Sequence, residues 1–195
     1  MLPLRRSYAV LSFTALLGGC AASDGTVDPR PGLVEPGSPA LASLSSGPAT
    51  RLINVMDACD GPSFNAAIGP GTCARAHGVP FNEFIAQLTA HQSADAWHSA
   101  PTQTDAWLGD ALLAVNKGGE QHTFTRVAQF GGGFIDLLNQ LSGTPHPAAE
   151  CLNLPPTEFM SPGGTDTETL DTVGDVNYQC CIHPWMRTVV HVKAH

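Results

Sequence analysis

The chain has 195 residues, enough for one domain with additional segments, and 17 Asp and Glu against 9 Lys and Arg give it a formal net charge of −8. This acidic balance argues against a nucleic-acid partner, because binding to phosphates needs a basic surface. Only 13% of the residues are charged, whereas Gly (20) and Pro (16) are abundant, which favours a turn-rich β domain over a helical bundle.

The N-terminal residues have the features of an export signal. Arg5 and Arg6 precede an apolar run over residues 8–17, which is too short for a permanent transmembrane helix. The next residues, Leu17-Gly18-Gly19-Cys20, resemble the bacterial lipobox, which implies cleavage before Cys20 and acylation of that cysteine. An ordinary secretory signal with a chance cysteine is the alternative. We therefore predict a lipoprotein signal peptide over residues 1–19.

Residues 20–50 are predicted to be a lipidated cysteine followed by a flexible tether. The segment behind Cys20 is rich in Pro, Gly, Ser and Ala, and it has no aromatic residue and no apolar periodicity. Ala21 behind the lipidated cysteine would, by the same resemblance, favour the outer membrane, so we expect an exported protein anchored at its periplasmic face. The folded domain is predicted over residues 51–195.

Within this domain, short strands alternate with turns. Apolar residues at helical spacing predict a helix over residues 79–91, and a second short helix is expected within residues 131–143. The Pro- and Gly-punctuated residues 60–73 are typical of a loop. Strands are expected at residues 51–59, at two places within 104–125, near 165–172, and on both sides of a loop over 181–186. This pattern predicts an all-β sandwich with short helical insertions.

The loop before the last strand carries a set of metal-ligand residues at Cys180, His183 and Met186, in the pattern Cys-x2-His-x2-Met. Zinc rarely takes methionine, whereas copper suits a site of two His and one Cys with a weak axial Met. A reactive thiol or core packing is the alternative interpretation. A second histidine is required, and His122, at a predicted strand edge, is the best candidate. His98 is its rival, because it also lies beside a predicted strand.

Residues 98–192 resemble the cupredoxins, or blue copper proteins. In that family the first ligand histidine often lies six residues after an Asn that closes a strand behind a Gly-Asp turn, as in Gly109-Asp110, Asn116 and His122. The Cys-His-Met loop is similar to the short form in amicyanin-like members. The resemblance implies a cupredoxin-like Greek-key β-sandwich and one type 1 copper ion bound by His122, Cys180, His183 and Met186.

The resemblance also implies details around these ligands. Backbone N–H groups of Thr123 and Ile182 are expected to donate hydrogen bonds to the Cys180 sulfur. The edge of His183 is expected to be exposed, with Trp185 forming an apolar rim for a redox partner; packing of Trp185 beneath the loop is the alternative.

The cysteine count agrees with a free Cys180. Six cysteines minus a lipidated Cys20 leave five, so four can pair in an oxidising compartment and one is left over. Cys181 follows Cys180 on the same strand and therefore points to the opposite face. Connectivity cannot be read from the sequence, but we expect the pairs Cys59–Cys73 and Cys151–Cys181.

These features predict a monomeric, membrane-tethered carrier of single electrons that meets a redox partner protein. The chain shows no nucleophile–base pair, no catalytic carboxylate pair and no phosphate-binding glycine loop, so we do not expect an enzyme. A copper carrier or chaperone without a redox role is the first alternative. A tethered interaction module whose site has lost its redox use is the second.

Overall fold

The computed structural model describes residues 47–195. The predicted signal peptide, the predicted lipid anchor on Cys20 and most of the predicted tether therefore lie outside the described residues. Across residues 47–195, every helix is too short or too polar to span a bilayer.

Short strands dominate this part of the chain, interrupted by three α-helices and two 3-10 turns. The strands are β1 (Thr50–Met56), β2 (His98–Ala100), β3 (Gln103–Trp107), β4 (Ala111–Asn116), β5 (His122–Thr123), β6 (Thr125–Val127), β7 (Phe159–Met160), β8 (Thr165–Thr169), β9 (Gly174–Gln179) and β10 (Arg187–Lys193). The helices are α1 (Gly61–Ala67), α2 (Phe81–His91) and α3 (Asp136–Leu141), with 3-10 turns at Ala149–Leu152 and Pro156–Glu158.

The strands form two four-stranded sheets and one small ladder. One sheet has the order β2-β1-β4-β8, with β1 parallel to β4, and the other has the order β3-β10-β9-β6, with β10 parallel to β3. Side chains alternate along the strands, so that residues such as Ile53, Leu112 and Val190 are buried in one core. The predicted fold class, a β-sandwich with short helical insertions, is confirmed.

The predicted loop over residues 60–73 is wrong in its first half, because α1 begins at Gly61. The Asp60 carboxylate accepts a hydrogen bond from the Ser63 N–H at 3.0 Å and so caps the helix. Pro62 lies in the first turn, where its missing N–H costs nothing. Proline and glycine mark the start of a helix here, whereas the sequence interpretation took them as loop residues.

The helical insertions α1 and α2 pack over one end of the sandwich. Phe64 of α1 lies 5.4 Å from Phe84 of α2 between ring centroids, and the two rings lie 5.8 and 4.5 Å from the fully buried Trp97. The Cys59–Cys73 disulfide ties the segment containing α1 to the end of β1. This aromatic cluster packs against the loop that follows β9, where Phe84 contacts His183 and Trp185.

Both expected disulfides are present. Cys59 is bonded to Cys73 and Cys151 to Cys181, and Cys180 is the one unpaired cysteine in residues 47–195. The Cys151–Cys181 bond joins the 3-10 turn at Ala149–Leu152 to the end of β9. The two adjacent cysteines thus have different functions in the fold, as the alternation of side chains along a strand predicts.

Candidate metal centre

The first histidine of the site is positioned by the turn between β4 and β5. Asn116, fully buried at the end of β4, donates its amide hydrogens to the carbonyls of Glu120 (2.8 Å) and Met160 (2.9 Å) and accepts the Gly118 N–H (2.9 Å). These bonds fold the turn back, and β5 then pairs with β7 so that His122 stands opposite Met160. The backbone of His122 is therefore fixed on both sides.

The remaining candidate ligands lie on the loop between β9 and β10. The Cys180 N–H donates to the Met186 carbonyl at 3.0 Å, and the Met186 N–H donates to the His183 carbonyl at 2.9 Å. Pairing of Gln179 with Arg187 closes the ends of the loop. The seven residues 180–186 are thus held in a compact turn by antiparallel strands on both sides.

Three donor atoms from these two segments converge. The Nδ1 atoms of His122 and His183 lie 3.3 Å apart, and the Cys180 Sγ lies 3.7 Å from the first and 3.8 Å from the second. An ion bound at about 2.0–2.1 Å from nitrogen and about 2.3 Å from sulfur keeps three coplanar donors about 3.5–3.8 Å apart. The three side chains therefore fit one metal ion, although their role as ligands stays a prediction.

The donor set favours copper over zinc. Two imidazoles and one thiolate, with a thioether close in sequence, is the combination that suits a type 1 copper site. Met186 is fully buried in the same core cluster as Cys180. Its function as an axial ligand also stays a prediction.

The rival histidine is not brought to this site. His98 lies on β2, exposed, with its Nδ1 3.0 Å from the Asp95 carbonyl. His191 lies on β10, where it is partly exposed and its Nδ1 is 2.7 Å from the Asp175 Oδ1. The buried cluster of His and Cys donors consists of His122, Cys180 and His183.

Asp57, just behind β1, holds the far side of the His122 ring. Its Oδ2 lies 2.8 Å from the His122 Nε2 and accepts the Glu120 N–H at 3.0 Å, while its Oδ1 accepts the N–H groups of Cys59 and Gly119, each at 3.0 Å. Burial alone would raise the pKa of Asp57, but the His122 hydrogen bond and the three backbone N–H groups hold it well below its usual range. A carboxylate on Nε2 leaves Nδ1 free to bind a metal.

In the metal-free chain the same contacts set the protonation of the site. Burial would lower the pKa of His122, but Asp57 and Cys180 together raise it to about 9. Burial would likewise raise the pKa of the Cys180 thiol, but His122 and His183 hold it well below its usual range. These contacts therefore favour the thiolate form of Cys180, which is the form that binds metals.

A second buried carboxylate, Glu120, lies behind the other histidine. Its Oε2 is 3.6 Å from the His183 Nε2 and accepts the Trp97 indole N–H at 2.6 Å. Burial raises the pKa of Glu120, which the nearby His183 and the Trp97 hydrogen bond only partly offset. Each candidate ligand histidine thus has a carboxylate behind the nitrogen that faces away from the donor cluster.

One of the two expected hydrogen bonds to sulfur is present. The Thr123 N–H donates to the Cys180 Sγ at 3.4 Å, whereas the Ile182 N–H makes no hydrogen bond to that sulfur. The backbone of Cys181, between Cys180 and Ile182, is held in place by two hydrogen bonds. Its N–H donates to the Thr123 hydroxyl at 2.8 Å, and its carbonyl accepts the Phe134 N–H at 2.9 Å. The expectation of two backbone donors is therefore wrong for Ile182.

The expected exposure of His183 is also wrong. Only 2% of this residue is accessible, because α2 and Trp185 cover its ring, with centroids 6.4 Å away for Phe84 and 5.4 Å away for Trp185. Trp185 is itself partly exposed. The helical insertion over residues 81–91 thus separates the imidazole from solvent, and the function of Trp185 as an apolar rim for a partner stays a prediction.

The sequence interpretation missed Asp57 and Glu120. Neither belongs to a motif, and Asp57 lies 65 positions before His122. The available signal was weak: Asp57 lies within the predicted strand over residues 51–59, and Glu120 lies within the predicted two-strand region over residues 104–125. Only the parallel pairing of β1 with β4 brings the end of β1 against the turn that carries Glu120.

Searches for similar proteins give structural neighbours only. No protein-family description and no curated protein matches the chain. Among solved structures it is similar to a purple cupredoxin from Nitrosopumilus maritimus, at 13% identity over 73% of this chain and 98% of that one, with a TM-score of 0.41. It is also similar to plastocyanin from Dryopteris crassirhizoma (12%, 73% and 100%, 0.38) and to a Cu(I) amicyanin mutant (18%, 49% and 73%, 0.35).

Proposed function

We propose that this protein is a blue copper protein that carries single electrons through one type 1 copper ion. The observation that supports this proposal is the buried triangle of His122 Nδ1, His183 Nδ1 and Cys180 Sγ, with separations of 3.3 to 3.8 Å. Bound there, copper would supply a one-electron couple between Cu(I) and Cu(II). The resemblance of the Cys-His-Met loop to that of cupredoxins supports the same function.

The chain's own residues would keep the donor positions nearly unchanged when the charge of the ion changes. Asp57 fixes the ring of His122, and the Thr123 N–H stabilises the Cys180 thiolate. The loop is closed by its own backbone hydrogen bonds and tied by the Cys151–Cys181 disulfide to the turn beside it. A donor set that moves little keeps the reorganisation cost of electron transfer low.

The exclusion of water from the donor cluster favours electron transfer over metal delivery. His122, Cys180 and His183 are all at most 2% exposed, so a metal could leave only if α2 or the loop moved. We propose that the electron crosses Trp185, which contacts His183 and reaches the surface. The protein partner would dock there, and the lipid on Cys20 would hold the domain at the bacterial membrane, most simply the outer one.

A copper titration tests this function. We expect the purified full-length chain to bind one Cu(II), develop an intense visible thiolate-to-copper band, and give the small parallel hyperfine splitting of type 1 copper in electron paramagnetic resonance. The Cys180→Ser variant should lose the colour. The matched Cys151→Ser/Cys181→Ser double variant, which removes the neighbouring sulfur without freeing a thiol, should keep it. Copper bound without colour would favour the carrier or chaperone alternative.

A further inference from the structure

A large apolar cavity lies directly beside the candidate metal centre. Its volume is about 660 Å³, within the range of small-molecule binding pockets. Helices α1 and α2 form one wall, and the segment around α3 with β7 forms the other. The walls are mainly aromatic and aliphatic, including Phe64, Phe84, Ile85, Phe134, Leu138 and Phe159.

Apolar side chains also surround the mouth of this cavity. Ile68 and Leu137 are exposed by 57% and 58%, and Phe134 by 42%. Exposed large apolar residues that adjoin a cavity are a typical feature of binding sites. The metal centre described above does not use any of these three side chains.

Four polar side chains line the cavity, Thr72, Glu120, Gln121 and His183, and of these Glu120 and His183 are buried. Glu120 is only 6% exposed, and its Oε2 is bonded to the Trp97 indole. Within residues 47–195, its Oε1 has no hydrogen-bond partner. This oxygen is not among the fully enclosed unpaired atoms of the described residues, so it is open to the cavity and can accept a hydrogen bond from a ligand there.

We propose that this cavity binds a small uncharged molecule with an apolar ring and one hydroxyl group, such as an alkyl-substituted phenol. The hydroxyl would donate to Glu120, and the ring and its substituent would pack between α2 and α3. An anion is disfavoured by the Glu120 carboxylate, and a cation would have to lose its hydration among apolar walls. A hydroxyl supplies the missing donor at the lowest desolvation cost.

This proposal does not rest on the proposed function, because the cavity is complete without a metal. Its occupant would lie against His183, but its binding can be measured in the absence of copper and hence independently of the copper spectrum. Trp97, which is bonded to Glu120, and Trp185, which packs against Phe84, both lie beside the cavity. Their fluorescence provides a readout that needs no copper.

The probe is 4-propylphenol, and its matched control is 4-propylanisole, which has the same body but cannot donate. Calorimetry and tryptophan fluorescence are recorded on the full-length chain, with and without copper. We expect saturable one-to-one binding of the phenol in both forms, and binding of the anisole at least about tenfold weaker, because a hydrogen bond to a buried carboxylate is lost. Equal affinities, or no saturable binding of the phenol, would overturn the proposal.

A pair of tryptophan substitutions on α2 locates the site. Ile85 lines the cavity, whereas Ala86 is exposed and does not. Ile85→Trp should weaken phenol binding at least about tenfold by filling the cavity, and Ala86→Trp should leave it unchanged. Unaltered binding in a folded Ile85→Trp variant would refute the assignment to this cavity. A chain that binds the phenol but gives no blue copper spectrum would refute only the proposed electron-transfer function.

Discussion

Replacing Asp57 by Asn tests whether this residue holds the metal centre together. The two carboxylate oxygens of Asp57 accept four hydrogen bonds, two each. An Asn side chain keeps one acceptor oxygen and turns an NH2 group towards two donors, so two bonds are lost in either orientation. At about 1.5–3 kcal/mol for each bond to a charged group, the free energy of unfolding should fall by about 3–6 kcal/mol.

Asp57→Asn should also weaken metal binding, because the His122 ring loses its orienting carboxylate. A loss of about 10–100-fold in copper affinity is expected from such a partner. Urea unfolding of the metal-free protein gives the stability change, and competition with a copper chelator gives the affinity. Asp110→Asn is the matched control: this buried Asp accepts the Ala49 and Trp107 N–H groups and pairs with Arg51 at the opposite end of β4.

The two variants should therefore separate stability from metal binding. We expect both to be destabilised, and only Asp57→Asn to bind copper more weakly. If Asp57→Asn bound copper as tightly as the wild type, Asp57 would have no orienting function, and its hydrogen bonds would serve only to join β1 to the turn before β5.

The remaining predictions concern the electron path, the packing of the loop and the protonation of the site. Trp185→Leu should lower the electron self-exchange rate, measured by NMR line broadening, with little change in colour. The control Trp107→Leu, at the opposite end of the sandwich, should leave the rate unchanged. Equal rates in the wild type and both variants would exclude Trp185 from the path. Gly133→Ala should destabilise the fold by about 1–3 kcal/mol and alter the copper spectrum, since an added Cβ would meet the Cys181 carbonyl oxygen, whereas Gly47→Ala, in open space, should be neutral. In the metal-free protein the ultraviolet thiolate absorbance of Cys180 should be present at pH 7 and disappear only on acidification, because the pKa of this thiol is lowered. The ion pair with His122 would be contradicted if the band appeared only above the usual cysteine pKa of about 8.5, or if it persisted in Cys180→Ser.

The sequence predicts the parts of the site that come from one short segment. Cys180, His183 and Met186 lie within seven positions, and their residue types already indicate the metal. Alternation along the last strands also predicts that Cys180 and Cys181 face opposite sides. His122 could be predicted through the resemblance to cupredoxins, in which the first ligand histidine often lies six residues after an Asn that closes a strand.

What the sequence could not predict depends on packing between distant segments. Asp57 and Glu120 are single acidic residues, and acidic residues are usually exposed, so nothing local indicates that they are buried behind the two histidines. The burial of His183 depends on where α2 packs, and a helical periodicity predicts a helix without predicting the surface that it covers. The same holds for the cavity, whose two walls come from separate insertions.

Because Cys180 and Cys181 are neighbours, Cys151 could form a disulfide with either of them during oxidative folding. Cys180 belongs to the main core, and Cys181 belongs to a separate small cluster with Cys151 on the other side of the strand. If Cys151 formed its disulfide with Cys180 instead of Cys181, the Cys180 thiolate would no longer be available to bind the proposed metal ion. If the protein binds copper as proposed, early metal loading would protect the correct thiolate from this error, and the order of copper delivery and disulfide formation should determine the yield of copper-loaded protein.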